Sequence, residues 1–509
     1  MDDAVALLRR ALDHATSPIH TLKYAGNLAI LLGREQRWSE AAQLAELQFP
    51  SSADLTGHNL DPQVLENLCS TLLTAGKAEF VGHYLEPLLD HPGSSYGMEQ
   101  LWLKAAHLQG LFRGILARVR QPAYRWADRS EPHAFAAVSS ASLNQLEDRK
   151  FHYQRFLETA PLYVASRADT QVLSVCIISP NPKPDRLTAS SSVQHRAANF
   201  PTQLMTVRAD RYRFLSVFSG SPPRSCRDTL LPHERAITLN NEVNGEKLKS
   251  GLLDEVEAHQ EAPGLPVINS AAQAAHCTRL ETAELVSGIK NLVVPRIRRF
   301  RLQADLRAAL KNSVKDLFPY PVILRSVGAQ QAENMFLVSS DAELDDAITQ
   351  QIAQGDKDVY VIEYAGQTHR GHMFRRMRAA FVAGVPTLMR ADYDSHWIVK
   401  GRRTESIQST YKNDRSLLEE ADQILNNPDS LGVAVWSALH EIGRRIPMDI
   451  FGLDFDVDSS GRVIFFEANA TMNLLSNAPR EIDYPAVAQD RFLAAVDKLF
   501  LKRADLRMQ

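Results

Sequence analysis

The chain has 509 residues, of which 44% are hydrophobic and 23% charged, with a formal net charge of −3. Those proportions are ordinary for a soluble protein, and the length leaves room for two to four domains with ample core. So weak a net charge gives no reason to expect nucleic acid or an anionic membrane as partner.

The opening residues, MDDAVALLRRALDH, lack a basic segment followed by a long apolar run, so no signal peptide is expected. No apolar stretch approaches the roughly 18 residues that a membrane span needs. Cys69, Cys176, Cys226 and Cys277 lie far apart and form no C-x-x-C pair. They read as reduced, structural thiols of a cytoplasmic protein.

Residues 1–165 read as helical throughout. Asn27–Leu32 followed by Arg37–Ala42 has the pattern of two helices crossing at small residues. A related layout returns about forty residues on: Asn67-Leu68-Cys69, Leu72-Leu73, Gly76, then Val81 to Leu89, closed by Pro92. Further helical pairs are expected over Glu99–Val119 and Ala134–Thr159. The layout resembles degenerate tetratricopeptide-like repeats, with an irregular helical bundle as the alternative. Either would supply a binding or dimerisation surface, since no acid/base cluster stands out there.

Near residue 170 the texture changes. Val172–Ser179, Arg213–Phe218 and Ala236–Leu239 read as strands, a helix is expected over Lys247–His259, and a short strand over Leu265–Asn269. Strands alternating with helices predict a parallel α/β domain over 170–270. Asn181–Pro184 and Thr188–Asn199 read as loops.

Thr278-Arg279-Leu280-Glu281 is a capping box, and Gly288 stands where a glycine would end that helix. Tyr320–Arg325 is a strand ending in a basic residue. The loop Ser326–Asn334, a strand at Met335–Ser339, a capped helix from Ser340 to Gly355 and a strand at Val359–Tyr364 follow. The helix buries Leu344, Ile348 and Ile352 on one face. Phe374–Val382 is a further strand, Arg390 follows it, and Val433–Ile446 is a helix.

Met448–Asn473 then reads as a β-hairpin, with Asp458-Ser459-Ser460-Gly461 as its turn. Glu467 and Asn469 share one face of the second strand. A four-residue turn places Asp454 across from Phe465 and diagonal to Glu467. Two carboxylates and an amide oxygen make a hard, all-oxygen site suited to Mg²⁺ shared with water and phosphate. The alternative is an ordinary acidic hairpin with solvated carboxylates. That describes Asp456 and Asp458, but not a Glu-x-Asn directly after Val463-Ile464-Phe465-Phe466.

Gly452-Leu453-Asp454-Phe455 followed by Gly461 to Asn469 resembles the closing metal motif of the ATP-grasp ligases, and the motifs upstream fall in that family's order over about residues 170–500. The resemblance implies an all-α repeat region at 1–165, a pre-ATP-grasp α/β domain at 170–270, and an ATP-grasp domain of two α+β nucleotide-gripping subdomains at 271–509. It implies ATP and Mg²⁺, with Mn²⁺ as a substitute, the metal held by Asp454, Glu467 and Asn469. Arg279 and Arg325 would grip phosphates, and the backbone of Glu363, Tyr364 and Ala365 would read the adenine. Arg376, Arg378 and Arg390 would surround the transferring phosphoryl group, with Arg325, Arg378 and Arg390 acting in catalysis. His396, Trp397 and Lys400 would line the acceptor pocket.

Two departures stand out. Most members carry lysine where this chain has Arg279 and Arg325; arginine keeps the charge and adds a bidentate fork. The loop Val327–Asn334 has one glycine, where backbone N–H groups approach phosphates most closely through several. The implied activity is a carboxylate–amine ligase joining small-molecule or peptide acids and amines through an acyl phosphate. The repeats would hold a peptide or protein partner, with room for a homodimer. Rival readings are a nucleotide-sensing scaffold without turnover, and a phosphotransferase of the same fold; the latter would call for a phosphohistidine domain, and the sequence shows none.

Overall fold

The computed structural model describes residues 2–48, 62–159, 163–165, 173–179, 200–219, 221, 230, 235–302, 307–328, 334–355, 357–400, 404–470, 472–475 and 484–505. The loops expected at Asn181–Pro184 and Thr188–Asn199, and residues 329–333 of the glycine-poor loop, lie outside them. The chain divides into two compact units: Met1–Pro161 with Asn181–His195, and Leu162–Pro180 with Arg196–Gln509.

The described part of the first unit is helical. After α1 (Asp2–Asp13) come the pairs α2 (Pro18–Arg34) and α3 (Trp38–Gln48), α4 (Pro62–Thr74) and α5 (Ala78–Leu85), α6 (Tyr96–Leu108) and α7 (Phe112–Val119), and α8 (Ser130–Ser142) and α9 (Leu146–Thr159). One turn joins every pair. The second residue past the first helix, Gln36, Gly76, Gly110 or Asn144, is left-handed, and the last three are spaced by 34 residues. Its N–H donates to the carbonyl three residues back, and the next N–H to the carbonyl five back, a Schellman arrangement that satisfies the helix end. Ala29, Ala41, Ala105 and Ala106 are fully buried where helices cross, beside Leu28, Leu32, Leu72 and Trp102.

The second unit begins with a five-stranded sheet of order β1-β3-β2-β4-β5: β1 (Tyr163–Ala165), β2 (Leu173–Ser179), β3 (Tyr212–Phe218), β4 (Ala236–Asn240) and β5 (Val267–Ile268). β2 to β5 are parallel and β1 is an antiparallel edge. Every residue of β2 is buried, as expected when both faces of a parallel sheet are covered. Cys176 on β2 is disulfide-bonded, whereas Cys69 and Cys277 are free. The expectation of four reduced thiols is therefore corrected, and with it goes the cysteine argument for a cytoplasmic location. Between β3 and β2, α10 (Phe200–Val207) packs Phe200 and Leu204 into the core. The helix expected over Lys247–His259 is present as two helical segments, residues 245–252 and α11 (Leu253–Glu261), divided by a kink at Gly251, whose φ is 126°. A short helix, α12 (Ala271–Ala275), follows β5.

After α13 (Arg279–Val286) and β6 (Leu292–Val293) comes an antiparallel sheet of order β7-β10-β8-β9: β7 (Ile297–Arg301), β8 (Val322–Ser326), β9 (Met335–Val338) and β10 (Asp358–Glu363). Helices α14 (Arg307–Leu317) and α15 (Asp341–Ala353) cover it with Leu310, Val314, Leu344 and Ile348. The basic stretch Arg296–Arg301 is mostly this strand β7, whose Arg299 pairs with Asp358 at 2.9 Å.

A second sheet follows the order β11-β12-β14-β15-β6, with β13 on β12, antiparallel except where β6 joins β15 in parallel: β11 (Thr368–His369), β12 (Met373–Val382), β13 (Val385–Asp394), β14 (Ile450–Val457) and β15 (Val463–Asn469). Ala383 and Gly384, with φ of 49° and 78°, make the two-residue turn between β12 and β13. Helices α16 (Glu405–Asn413), α17 (Arg415–Asn426) and α18 (Val433–Arg445) pack on the sheet, and α19 (Ala486–Asp505) closes the chain. A Cβ on Gly443 of α18 would lie 2.1 Å from the Gly384 carbonyl oxygen, so only glycine permits that approach. No described helix is long and apolar enough to cross a membrane.

The hairpin register differs from the expected one. Phe455 pairs with Phe465 and Asp454 with Glu467, so a β-bulge leaves Phe466 as the extra residue. Asp454 and Glu467 are therefore directly opposed rather than diagonal.

Candidate active site

A cavity of about 560 Å³ opens between the last two sheets of the second unit. Arg279, Arg325, Glu363, Tyr364, Ala365, Arg376, Arg378, Arg390, Asp454, Glu467 and Asn469 all line it. Trp397 and Lys400 line it too, but His396 does not; its Nδ1 accepts the Ile398 N–H at 3.0 Å.

Register explains the convergence. Arg390 on β13 pairs with Arg378 on β12, Arg378 with Asp454 on β14, and Asp454 with Glu467 on β15. Residues directly opposite one another share a face. One row across four strands thus reads Arg, Arg, Asp, Glu. Arg378 closes a bidentate pair on Asp454, Nε to Oδ1 at 2.7 Å and Nη2 to Oδ2 at 2.8 Å, and Arg376 reaches Oδ2 at 3.4 Å. Burial opposes the Asp454 charge, yet Arg378, Arg376 and Arg390 hold its carboxyl at about 2.

The first turn of α13 brings Arg279 in from the opposite side. Thr278 caps that helix by accepting the Glu281 N–H at 3.2 Å, which fixes Arg279 at its first position. Arg279 pairs with Glu467 and also donates to the carbonyl of the bulged Phe466 at 3.3 Å. Arg325, at the end of β8, lies 3.7 Å from Glu467. Burial works against both cations, and Arg325 adds to the burden on Arg279.

Seven basic side chains (Arg279, Arg325, Arg375, Arg376, Arg378, Arg390 and Lys400) face three acidic ones (Glu363, Asp454 and Glu467) in the lining. The excess is positive, so the cavity suits a polyanion. Elsewhere the wall is apolar and aromatic: Ile323, Met335, Ile362, Phe465, Tyr364 and Trp397, the last two edge-to-face at 6.2 Å. Such a wall suits a planar ring. Tyr364 and Ala365 lie in the link from β10 to β11; the N–H of Tyr364 donates to Pro321 O at 3.3 Å, and that of Glu363 to Arg296 O at 2.8 Å.

Several lining residues were not legible in the sequence. Asn473 accepts from Arg390 at 2.8 Å through its side chain and from Arg378 at 2.9 Å through its backbone carbonyl. Gln203 of α10 in turn donates to Asn473 Oδ1 at 2.7 Å, while its own Oε1 accepts from the N–H groups of Leu474 and Leu475. Gly452 makes room for this strap, since a Cβ there would lie 2.6 Å from Met472 Sδ. Tyr484 lies under the Arg390 guanidinium at 4.9 Å and donates to Asp392. Asp456, expected to be solvated, is 1% exposed and bound by His369 at 2.8 Å and Arg375 at 2.7 Å. Asp458 is also engaged, accepting the N–H groups of Ser460 and Arg462 to form the turn.

Among the described residues no cluster of three His, Cys, Asp or Glu side chains could hold a metal. The relevant donor set is two carboxylates and an amide. Asp454 is held ionised, Glu467 is directly opposite it, and Asn469 follows on the same strand. That hard-oxygen set fits a divalent cation sharing its remaining positions with phosphate and water.

No protein-family model matches the sequence, and neither does any curated protein. Among solved structures, the chain is similar to the VanG D-Ala:D-Ser ligase of Enterococcus faecalis at 13% identity and a TM-score of 0.41, over 65% of this chain and 100% of that one. It is similar to the D-alanine-D-alanine ligase of Coxiella burnetii at 12% identity and a TM-score of 0.38, over 66% and 96%. A RimK domain protein ATP-grasp of Sphaerobacter thermophilus matches at 14% identity and 0.32, over 64% and 98%. At these values none of the likenesses bears on what the chain does.

Proposed function

We propose that this chain is an ATP-grasp carboxylate–amine ligase that forms an amide bond through an acyl phosphate, its substrate an amino acid or peptide. One observation carries the reading. Eleven residues drawn from separate motifs, Arg279 to Asn469, line one cavity that is cationic on one side and aromatic on another.

In this reading the apolar wall of Ile323, Ile362 and Tyr364 takes the adenine, and Arg279 and Arg325 grip the phosphates. Asp454, Glu467 and Asn469 would hold Mg²⁺, which when bound would neutralise charge on the β- and γ-phosphates. Arg378 and Arg390 lie side by side across β12 and β13, so their fields stabilise negative charge on the transferring group. Tyr484 and Asn473 fix the Arg390 plane. A substrate carboxylate oxygen attacks the γ-phosphorus, and the bond to the β-phosphate oxygen breaks to release ADP. An amine then attacks the acyl carbon and inorganic phosphate leaves, the amine surrendering a proton.

The four identical turns in the first unit, three of them 34 residues apart, support the tetratricopeptide-like reading over an irregular bundle. We assign those repeats to holding a peptide substrate or protein partner.

The test is phosphate release from ATP by the full chain with pooled amino acids and peptides. Release that depends on an acid and an amine together supports the ligase. Nucleotide binding without release under any mixture would leave a nucleotide-sensing scaffold instead.

A further inference from the structure

Both carboxylates of the metal set are already engaged by arginine. Arg378 uses two N–H groups on Asp454, and Arg279 pairs with Glu467 while also donating to Phe466 O. A bare divalent cation would have to enter a lining with seven basic and three acidic side chains, and then compete with guanidiniums for the same oxygens. Repulsion and occupancy both oppose it. A polyphosphate changes each term. It neutralises the excess cations, and it offers guanidinium a bidentate partner at least as good as carboxylate. Arg279 and Arg325 stand beside each other over Glu467, so one phosphate group can engage both.

Resting on the reading of the site above, we propose that Arg279 and Arg378 are a latch on Glu467 and Asp454, opened by polyphosphate, so that divalent metal binds with the phosphate and not ahead of it. Arg279 is then a positioning residue for the metal set as well as a phosphate ligand. Comparison with the lysine variant, which keeps the charge and loses the fork, separates the two roles. A residue that only binds phosphate lowers metal affinity, when phosphate is absent, through its charge alone. A latch lowers that affinity further, and loss of the fork raises it; by linkage, what metal gains from phosphate, phosphate gains from metal.

The experiment titrates Mn²⁺ alone into the full chain and follows the free ion by electron paramagnetic resonance. Arg279→Gln is expected to bind Mn²⁺ at least about tenfold more tightly than the unmodified chain. Adding Glu467→Gln to it should abolish the gain. Unchanged or weaker Mn²⁺ binding by Arg279→Gln, with circular dichroism showing it folded, overturns the latch. Arg279→Lys is titrated beside it, and stands alone if that variant does not fold. Lysine keeps the charge but loses the fork, and a gain of about threefold supports the latch while none overturns it. A parallel melt with a non-hydrolysable ATP analogue addresses the nucleotide reading separately. No such shift with a preserved Mn²⁺ gain would sink the ligase and leave the arginine block on the carboxylates standing, with a polyphosphate other than a nucleotide to open it.

Discussion

Arg378 and Asp454 face each other in direct register across β12 and β14 and form a bidentate ion pair, both nearly buried at 8% and 3% exposure. Directly beyond Arg378 lies a second arginine, Arg390, and beyond Asp454 a second carboxylate, Glu467. Like charges side by side in a sheet are unfavourable unless something binds there. The row is therefore organised for ligand, and the central pair sets its balance.

Arg378→Ala should destabilise the protein by about 3 to 5 kcal/mol, because it leaves Asp454 buried and uncompensated. The double change Arg378→Met with Asp454→Leu should recover much of that loss yet bind no nucleotide with metal. Denaturant midpoints measure the first effect and nucleotide-dependent melting the second. Equal stability loss in the single and double variants would show that the charges are not what couples this pair.

Glu467→Gln should leave the fold intact and abolish turnover, since a neutral amide is a weaker ligand for Mg²⁺. Asp456→Asn should behave in the opposite way. Its carboxylate is bound by His369 and Arg375 at the far side of the strand row, so its loss is expected in the melting temperature and only weakly in nucleotide binding. Melting curves with and without MgATP separate the two. Similar losses of nucleotide response in both variants would place Asp456 in the metal set.

The motif residues were legible because their chemistry is local: Glu-x-Asn after an apolar strand, an arginine at a strand end, a capping box before Arg279. What escaped depended on partners distant in sequence or on a single inserted residue. Gln203 meets Asn473 across 270 positions, and nothing in either neighbourhood marks the other. A loop of five residues, Asp458 to Arg462, in place of four moves the register by one, the bulge at Phe466 moves it by one more, and together they turn a diagonal pair into a direct one. β7 escaped because arginines fill three of its five positions, and Arg299 among them is held by an ion pair with Asp358. Asp456 reads as solvated until a histidine and an arginine from β11 and β12 are seen closing over it.

The first unit should lose stability as pH falls. His133 and His152 are buried with their Nδ1 atoms 3.2 Å apart, and among the described residues His152 Nε2 has no partner. Burial first, then the neighbouring His133, pushes the His152 pKa down to about 4. The unfolded chain takes up this proton near its ordinary pKa of about 6.5, so protons favour unfolding below that point. The loss should begin below about pH 6.5, grow to pH 4 and then level, reaching at most roughly 3 kcal/mol. His152→Phe should flatten that segment of the stability profile. A profile equally steep in the variant would assign the slope to other groups.

Removing residues 1–161 should leave a folded fragment that still binds nucleotide. The cut belongs at 161 and not at 165, because β1 pairs with β3 through Tyr163, Val164 and Ala165 and would otherwise be lost from the sheet edge. The buried cluster of the first unit runs from Val5 to Ala136, while the clusters of the second draw only on residues from Leu173 onward, so each unit has its own core. Every lining residue of the cavity lies at or after Arg279. MgATP at a hundred times its dissociation constant should stabilise the fragment by about 2.7 kcal/mol, the same gain expected for the full chain. Turnover with a peptide acceptor should fall much further than with a single amino acid, since the repeats would supply binding surface and not chemistry. A fragment that is soluble and folded but unresponsive to MgATP would mean that the helices complete the nucleotide site.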